Sequence, residues 1–297
     1  MKPLPLIPAK QILGRTAHSE EWFGYDYTLN LYQGCSHGCI YCDSRSDCYR
    51  VENFDQVRAK ADALELLARE LASKRKKGII GTGAMSDPYN PYEGKHQLTR
   101  QALELIDRHG FGVQMLTKSA LVTRDIDIYQ RIAAHSTACV KLTITTMDDK
   151  LCRLLEPHVS PSRQRLAALR ELSKAGLFTG VLLTPLLPFI NDTVENVAAI
   201  VEACAEAGAR FIYPGFGVTL RQNQRVHYYR KLDELFPGMR ERYIRRYGDR
   251  YFCTVPPVKE LAQTFETLCE RYGLLYKMPD IIAAARKKDS QEQLTLF

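Results

Sequence analysis

No stretch of this sequence approaches the roughly 20 consecutive apolar residues that a membrane-spanning helix needs, so no transmembrane segment and no membrane partner are expected. The opening Met-Lys-Pro-Leu-Pro-Leu-Ile-Pro has too much proline and too short an apolar run for a secretory signal, and a cytoplasmic protein is expected. Internal repeats and low-complexity linkers are missing as well. A strong charge bias is also lacking: 41 basic against 34 acidic residues leave a net +7, too little to establish nucleic-acid binding. Cysteine is not used at the density of a small disulfide-stapled domain, since the nine cysteines are an odd number spread over 297 residues. Six of them (Cys48, Cys139, Cys152, Cys204, Cys253 and Cys269) are scattered and read as small buried hydrophobes.

The other three fall within eight residues. Gly34-Cys35-Ser36-His37-Gly38-Cys39-Ile40-Tyr41-Cys42 spaces thiols as C-x3-C-x2-C directly after a β-rich segment, Tyr27–Gly34. Cysteine thiolates are the ligands of iron–sulfur clusters. Three on one loop can hold three irons of a cubane and leave the fourth without a protein ligand. Gly34 and Gly38 give the loop the backbone freedom that such a wrap demands. The competing reading is a structural zinc site, which needs a fourth ligand, Cys48 or His37. No second C-x2-C pair occurs anywhere in the chain.

The rest of the pattern alternates short apolar strands with helices closed by glycine. Strands are expected at 79–83, 111–117, 139–145, 177–184 and 209–213, and helices at 56–77, 96–108, 125–134, 163–174 and 193–206. With the first β segment this makes about six βα units around a parallel sheet, an α/β fold. In such assemblies chemistry gathers where the strand C-termini release their loops. Beyond about residue 220 helices and basic loops take over, with Pro256-Pro257 before a helix near 258–271. There Arg221, Arg225, Arg230, Lys231, Arg240, Arg242, Arg245, Arg246 and Arg250 meet only Asp233, Glu234, Glu241 and Asp249. Interleaved Tyr228, Tyr229, Tyr243, Tyr247 and Tyr251 add stacking rings, the mixture that nucleic-acid surfaces use. A pair of solvated amphipathic helices would show the same pattern.

These motifs resemble the radical S-adenosylmethionine (SAM) superfamily and, more narrowly, the spore photoproduct lyase-related proteins called DNA repair photolyases. The likeness spans roughly residues 25–235. It is carried by Asn30-Leu31-Tyr32-Gln33-Gly34-Cys35, Ser86-Asp87-Pro88-Tyr89-Asn90-Pro91-Tyr92-Glu93, Thr117-Lys118-Ser119, Arg124-Asp125-Ile126-Asp127, Leu155-Glu156-Pro157 and Ala175-Gly176 before a strand ending in Thr184-Pro185. The resemblance implies a partial (β/α)6 TIM-like barrel over residues 25–235, preceded by an extension at 1–24 and followed by a mostly helical basic extension at 236–286 and a tail at 287–297. It implies a [4Fe–4S] cluster on Cys35, Cys39 and Cys42, SAM on the fourth iron, an electron donor such as flavodoxin or ferredoxin, and radical hydrogen abstraction from a substrate.

It further implies that Tyr41 packs against the adenine, that Ser86 and Asp87 meet the methionyl ammonium, and that Lys118 pairs with the methionyl carboxylate. Thr143 and Thr145 would offer hydroxyls to the ribose. Read without the resemblance, Ser86-Asp87-Pro88 is a turn, Lys118 a solvated strand end, and the threonines ordinary strand residues. Tyr89, Arg124 and Glu156 are the candidate catalytic residues, with Glu93, His158 and Arg221 as further substrate-side groups. Arg124-Asp125 also reads as a helix N-terminal pair, and Glu156-Pro157 as a helix end.

The sequence departs from the photoproduct lyases at two places. They carry a cysteine just before the Ser-Asp pair, where this chain has Gly83-Ala84-Met85, and a tyrosine after the third cluster cysteine, where it has Asp43. Both departures argue against the same repair reaction by the same route. Cys48 is a candidate hydrogen donor in place of the missing thiol. The expected function is a radical SAM enzyme, lyase-like, acting on nucleic acid. The alternatives are a radical SAM enzyme acting on a protein or small molecule, and a non-catalytic iron–sulfur or zinc module recruited to DNA. The final Gln293-Leu294-Thr295-Leu296-Phe297 resembles the peptide by which bacterial repair proteins dock on the sliding clamp, at the end of a polar stretch expected to be disordered.

Overall fold

A computed structural model describes residues 4–17, 21–83 and 85–286. Its centre is a seven-stranded sheet made of β1 (Leu13–Arg15), β2 (Tyr27–Leu29), β3 (Ile79–Thr82), β4 (Gly112–Thr117), β5 (Ala138–Thr143), β6 (Phe178–Leu183) and β7 (Phe211–Pro214). The strands lie in the order β7-β6-β5-β4-β3-β2-β1. From β2 to β7 every neighbour pairs parallel, and only β1 runs antiparallel, on β2. Six parallel strands in sequential order, joined by five crossovers, form a partial (β/α)6 barrel whose edge strands β7 and β1 do not pair with each other.

The strands follow the pleat. On β5, Val140 and Leu142 join the apolar layer under the helices, and Lys141 and Thr143 therefore face the barrel interior. Helices Leu98–Arg108, Ile126–His135, Ser162–Lys174 and Val194–Glu206 cover the outside. Their amphipathic faces supply Leu103, Ile106, Ile128, Ile132, Leu169, Leu172, Val197 and Ile200 to the main core.

The sequence and the structure differ most around residue 58. The helical reading of 56–77 gives way to a strand, Arg58–Lys60, followed by a helix at Ala63–Ser73. The strand pairs with Leu6–Ile7 on one side and Tyr32–Gln33 on the other. The segment 27–34 accordingly divides: Tyr27–Leu29 stays in the barrel and Tyr32–Gln33 turns into this small sheet. Val57 and Ala59 are buried by that pairing, and three residues of alternation are too few to show against a helical pattern on either side.

The C-terminal residues wrap back on the barrel. Strands Gly217–Thr219 and Phe252–Thr254 pair antiparallel and flank helices Gln224–Leu235 and Met239–Tyr247. Helix Val258–Tyr272 packs on Val194–Glu206 through Leu261, Phe265 and Leu268. Helix Met278–Arg286 packs against the N-terminal ends of the barrel strands, where Thr137 Oγ1 donates to Ala285 O at 3.2 Å and Ile281 joins Phe23, Cys139, Leu182 and Phe211 in one apolar cluster. The clamp-like peptide at Gln293, Leu294, Leu296 and Phe297 lies outside the described residues. No described helix is long and apolar enough to cross a membrane.

Candidate functional site

Cys35, Cys39 and Cys42 lie on the loop that leaves β2, at the C-terminal mouth of the barrel. The loop is held from both ends. The Cys35 amide donates to Phe54 O at 2.8 Å and the Ile40 amide to Leu155 O at 2.9 Å, while the His158 amide donates to His37 O at 3.1 Å. Two glycines make this course possible. Gly34 has φ +77° and a Cβ there would lie 2.6 Å from Gln56 O; Gly38 has φ +70° and a Cβ there would lie 2.9 Å from Pro157. Both positions therefore require glycine.

The charges around the loop suit a set of thiolates. Burial raises the Cys39 and Cys42 thiols. At Cys35 burial is outweighed by the hydrogen bond and charge of His37, and the thiol falls below its ordinary value. Lys118 follows β4 and faces the same space. Burial works against its ammonium, but the Cys39 thiol, Glu156, Cys42 and Asp87 around it raise its pKa above the usual lysine value. Its Nζ lies 5.8 Å from the centre of the Tyr41 ring. Among the described residues no three His, Cys, Asp or Glu side chains converge on one point as around a single metal ion. A cubane takes one thiolate at each of three irons, so its ligands stand apart. The donor set, the positive groups beside it and the glycine-dependent loop fit a [4Fe–4S] cluster.

Three loops meet at Asp87, and both of its oxygens are used. Oδ1 accepts from Thr117 Oγ1 at 2.6 Å and the Tyr89 amide at 2.9 Å, and Oδ2 accepts from the Lys118 amide at 2.8 Å. His37 Nδ1 lies 3.4 Å from Oδ2. The neighbouring Ser86 hydroxyl donates to Gly34 O at 2.9 Å. Ser86 and Asp87 thus tie the loops after β3 and β4 to the cysteine loop. Thr143 and Thr145 are buried at the end of β5. The Thr143 carbonyl accepts from Arg165, and the Thr145 carbonyl from Asn191 at 2.8 Å and Asn196 at 3.0 Å.

The remaining candidates are engaged inside the protein. The Tyr41 hydroxyl donates to Glu156 Oε1, and Glu156 Oε2 is 2.6 Å from Arg165 Nη2, with Glu156 and Arg165 both buried. The Tyr89 hydroxyl bonds Asp125 at 2.8 Å and Tyr129 at 2.9 Å. Arg124 donates to Asp125 and to Glu93, whose other oxygen accepts from Tyr32. Glu156 therefore braces the last cluster cysteine's neighbour, and Tyr89, Arg124 and Glu93 form a second network behind the loop after β3.

The structure also gives Asp43 a role that its sequence context withheld. Asp43 accepts from Arg221 Nε at 2.8 Å, Thr219 Oγ1 at 3.0 Å and Tyr49 Oη at 2.9 Å. Gln224 Nε2 donates to Tyr41 O at 2.9 Å. These bonds fasten residues 41–49 to the start of the C-terminal segment. Cys48 is exposed, with Sγ 3.4 Å from Arg221 Nη1. Arg165, Gln224 and Asn191 were not legible as site residues. Each reaches the site only through folding, and none stands in a motif.

The family model described as the radical SAM superfamily matches residues 29–204. An uncharacterized protein of Mycobacterium tuberculosis is 29% identical over 230 residues, covering 75% of this chain and 67% of that one. An uncharacterized protein of Methanocaldococcus jannaschii is 32% identical over 169 residues, covering 57% of this chain and 63% of that one. Among solved structures, spore photoproduct lyase complexed with dinucleoside spore photoproduct is similar with a TM-score of 0.65 over 90% of this chain and 79% of that one, at 17% identity. A likeness at that identity is one of fold.

Proposed function

The chain belongs to the radical SAM superfamily, and on that premise we propose that it is a radical SAM enzyme acting on nucleic acid, in the manner of a lesion-processing lyase. The family uses a [4Fe–4S] cluster and SAM. When bound, the two supply one-electron reductive cleavage of the sulfonium and, through it, hydrogen abstraction from a substrate. The residues that would hold the cluster are Cys35, Cys39 and Cys42, and the observation that carries the reading is their glycine-dependent loop at the mouth of a six-stranded parallel barrel.

The protein's own part is to bind, orient and exclude water. Lys118 places a positive charge beside the thiolates, suited to a carboxylate of the cofactor. Asp87 fixes the backbone that carries Lys118, and Ser86 fixes Gly34. Tyr41, held by Glu156, presents its ring for stacking, with Thr143 and Thr145 beneath the mouth. Tyr89, Arg124 and Glu156 act in this reading as positioning residues, because their polar atoms are taken by Asp125, Glu93 and Arg165.

Nucleic acid as the substrate is favoured by the arginines of the C-terminal segment. Arg245, Arg246 and Arg250 are exposed, as are Tyr251 and Phe252, which follow them in the sequence. The similar fold of a lyase complexed with a dinucleoside photoproduct supports the same choice. The C-terminal peptide 293–297 adds a sliding clamp as a partner. The deciding experiment is detection of 5′-deoxyadenosine by mass spectrometry after anaerobic reconstitution with iron and sulfide, with SAM and dithionite present. Product from the parent protein, none from Cys42→Ala, and stimulation by irradiated DNA are expected. Cleavage that DNA leaves unchanged would favour a protein or small-molecule substrate. A protein with its cluster assembled that never cleaves SAM, with or without DNA, would leave the binding module.

A further inference from the structure

The barrel interior contains one charged group that the arrangement above does not use. Lys141 stands in the middle of β5, on the same face as Thr143, and is 3% exposed. Its Nζ donates to Gln114 Oε1 at 2.6 Å and lies 4.2 Å from the centre of the Phe23 ring. No ion pair joins it to a carboxylate among the described residues. Burial lowers its pKa to about 8, opposed only by the Cys139 thiol on its own strand. An ammonium buried without a counter-ion is a cost that an apolar side chain at this position would avoid. It also has three N–H donors, of which Gln114 takes one.

Lys141 borders a cavity of about 110 Å³. Trp22, Phe23, Tyr25 and Leu116 form its apolar walls, and Asn30 and Met85, past the C-terminal ends of β2 and β3, mark its upper end towards the barrel mouth. Trp22 is 40% exposed, so this wall also borders solvent. Among the described residues no carboxylate lines the cavity. An apolar protein cavity of roughly 150 Å³ takes one benzene ring, so this smaller space has room for one ring at most and none for a fused pair. Ring walls favour a flat guest, and an ammonium favours an oxygen acceptor on it.

We infer that this cavity receives a single planar ring of the substrate and that Lys141 is the specificity-determining residue that selects a carbonyl oxygen on that ring. The inference rests on the nucleic-acid reading for the identity of the ring, a pyrimidine nucleobase; the slot and its donor stand on the cavity itself.

Trp22 is the sole tryptophan of the chain and reports on occupancy by its fluorescence. The reconstituted protein with SAM is titrated with thymidine, uridine, deoxyadenosine and inorganic phosphate. A saturable change is expected with thymidine and uridine and none with deoxyadenosine or phosphate. Lys141→Met should weaken the pyrimidine response at least tenfold while melting no lower than the parent, since it removes an uncompensated buried charge. Leu116→Phe, which fills the cavity and leaves the amine in place, should abolish the response. A response to phosphate equal to that of thymidine, equal thymidine affinity in Lys141→Met, or undiminished binding in Leu116→Phe would each overturn the inference. If irradiated DNA stimulates SAM cleavage but Lys141→Met binds thymidine normally, the slot fails and the nucleic-acid reading stands. Lys141-dependent binding of thymidine without any DNA-stimulated turnover is the reverse case, and there the slot stands.

Discussion

Glu156 and Arg165 face each other at 2.6 Å with both side chains buried, and the Tyr41 hydroxyl donates to the second Glu156 oxygen. One ion pair thus connects the residue beside the last cluster cysteine to helix Ser162–Lys174 and, through the Thr143 carbonyl, to the end of β5. Removing one partner of a buried pair leaves a charge without compensation and costs about 3–5 kcal/mol. Arg165→Met should lose about that much in urea unfolding of the reconstituted protein. The double variant Arg165→Met with Glu156→Leu should recover most of it. Equal losses in the single and double variants would refute the coupling.

The cysteine loop depends on Gly34 because a Cβ there would meet two backbone carbonyls, Gln56 O and Phe54 O, at 2.6 and 2.7 Å. Gly34→Ala is expected to lower bound iron and sulfide per chain towards the level of Cys42→Ala. Iron and sulfide assays after anaerobic reconstitution check this. Full cluster content in Gly34→Ala would mean that the loop can shift.

Asp87 accepts hydrogen bonds at both oxygens, and its Oδ2 takes the Lys118 amide. Asn at this position places an N–H₂ or an oxygen at each site, never two acceptors. One buried donor then loses its partner, at a cost of about 1–3 kcal/mol. Asp87→Asn should weaken SAM in equilibrium dialysis by more than its melting temperature explains, because Lys118 is displaced. SAM affinity as in the parent would remove Asp87 from the cofactor's support.

Each phosphate contact contributes about 0.9 to the salt slope of duplex DNA binding. Replacing Arg245, Arg246 and Arg250 with alanine should weaken DNA binding at low salt and flatten that slope. The core is expected to be unaffected, since all three side chains are exposed. Fluorescence anisotropy across a salt series measures both quantities, and an unchanged slope would take the DNA interface away from this segment.

Deleting Gln293–Phe297 should abolish capture of the sliding clamp in a pull-down and leave SAM cleavage intact. Capture that survives the deletion would end the clamp reading.

The sequence by itself determined the barrel and its cofactor class. Six apolar strands separated by glycine-closed helices carry their own periodicity, and a C-x3-C-x2-C loop is local, so its chemistry is visible in eight consecutive residues. Asp87 and Lys118 became candidates only through the resemblance, since taken alone Ser86-Asp87-Pro88 reads as a turn and Lys118 as a strand end. Tertiary structure decided the rest. The strand Arg58–Lys60 exists only because Leu6–Ile7 and Tyr32–Gln33 lie on either side of it, partners dozens of residues away in the chain. Glu156 turned from a loop carboxylate into a brace because Arg165, on the following helix, meets it at 2.6 Å in the interior. Asp43 found Arg221 across 178 residues. Lys141 stood in plain sight as a polar residue on an apolar strand, but which face looked inward, and that a cavity lay beside it, depended on how the sheet curled. Local patterns fix what a segment can form; which groups become neighbours, and so which charges are compensated, is set by packing between segments that no short window contains.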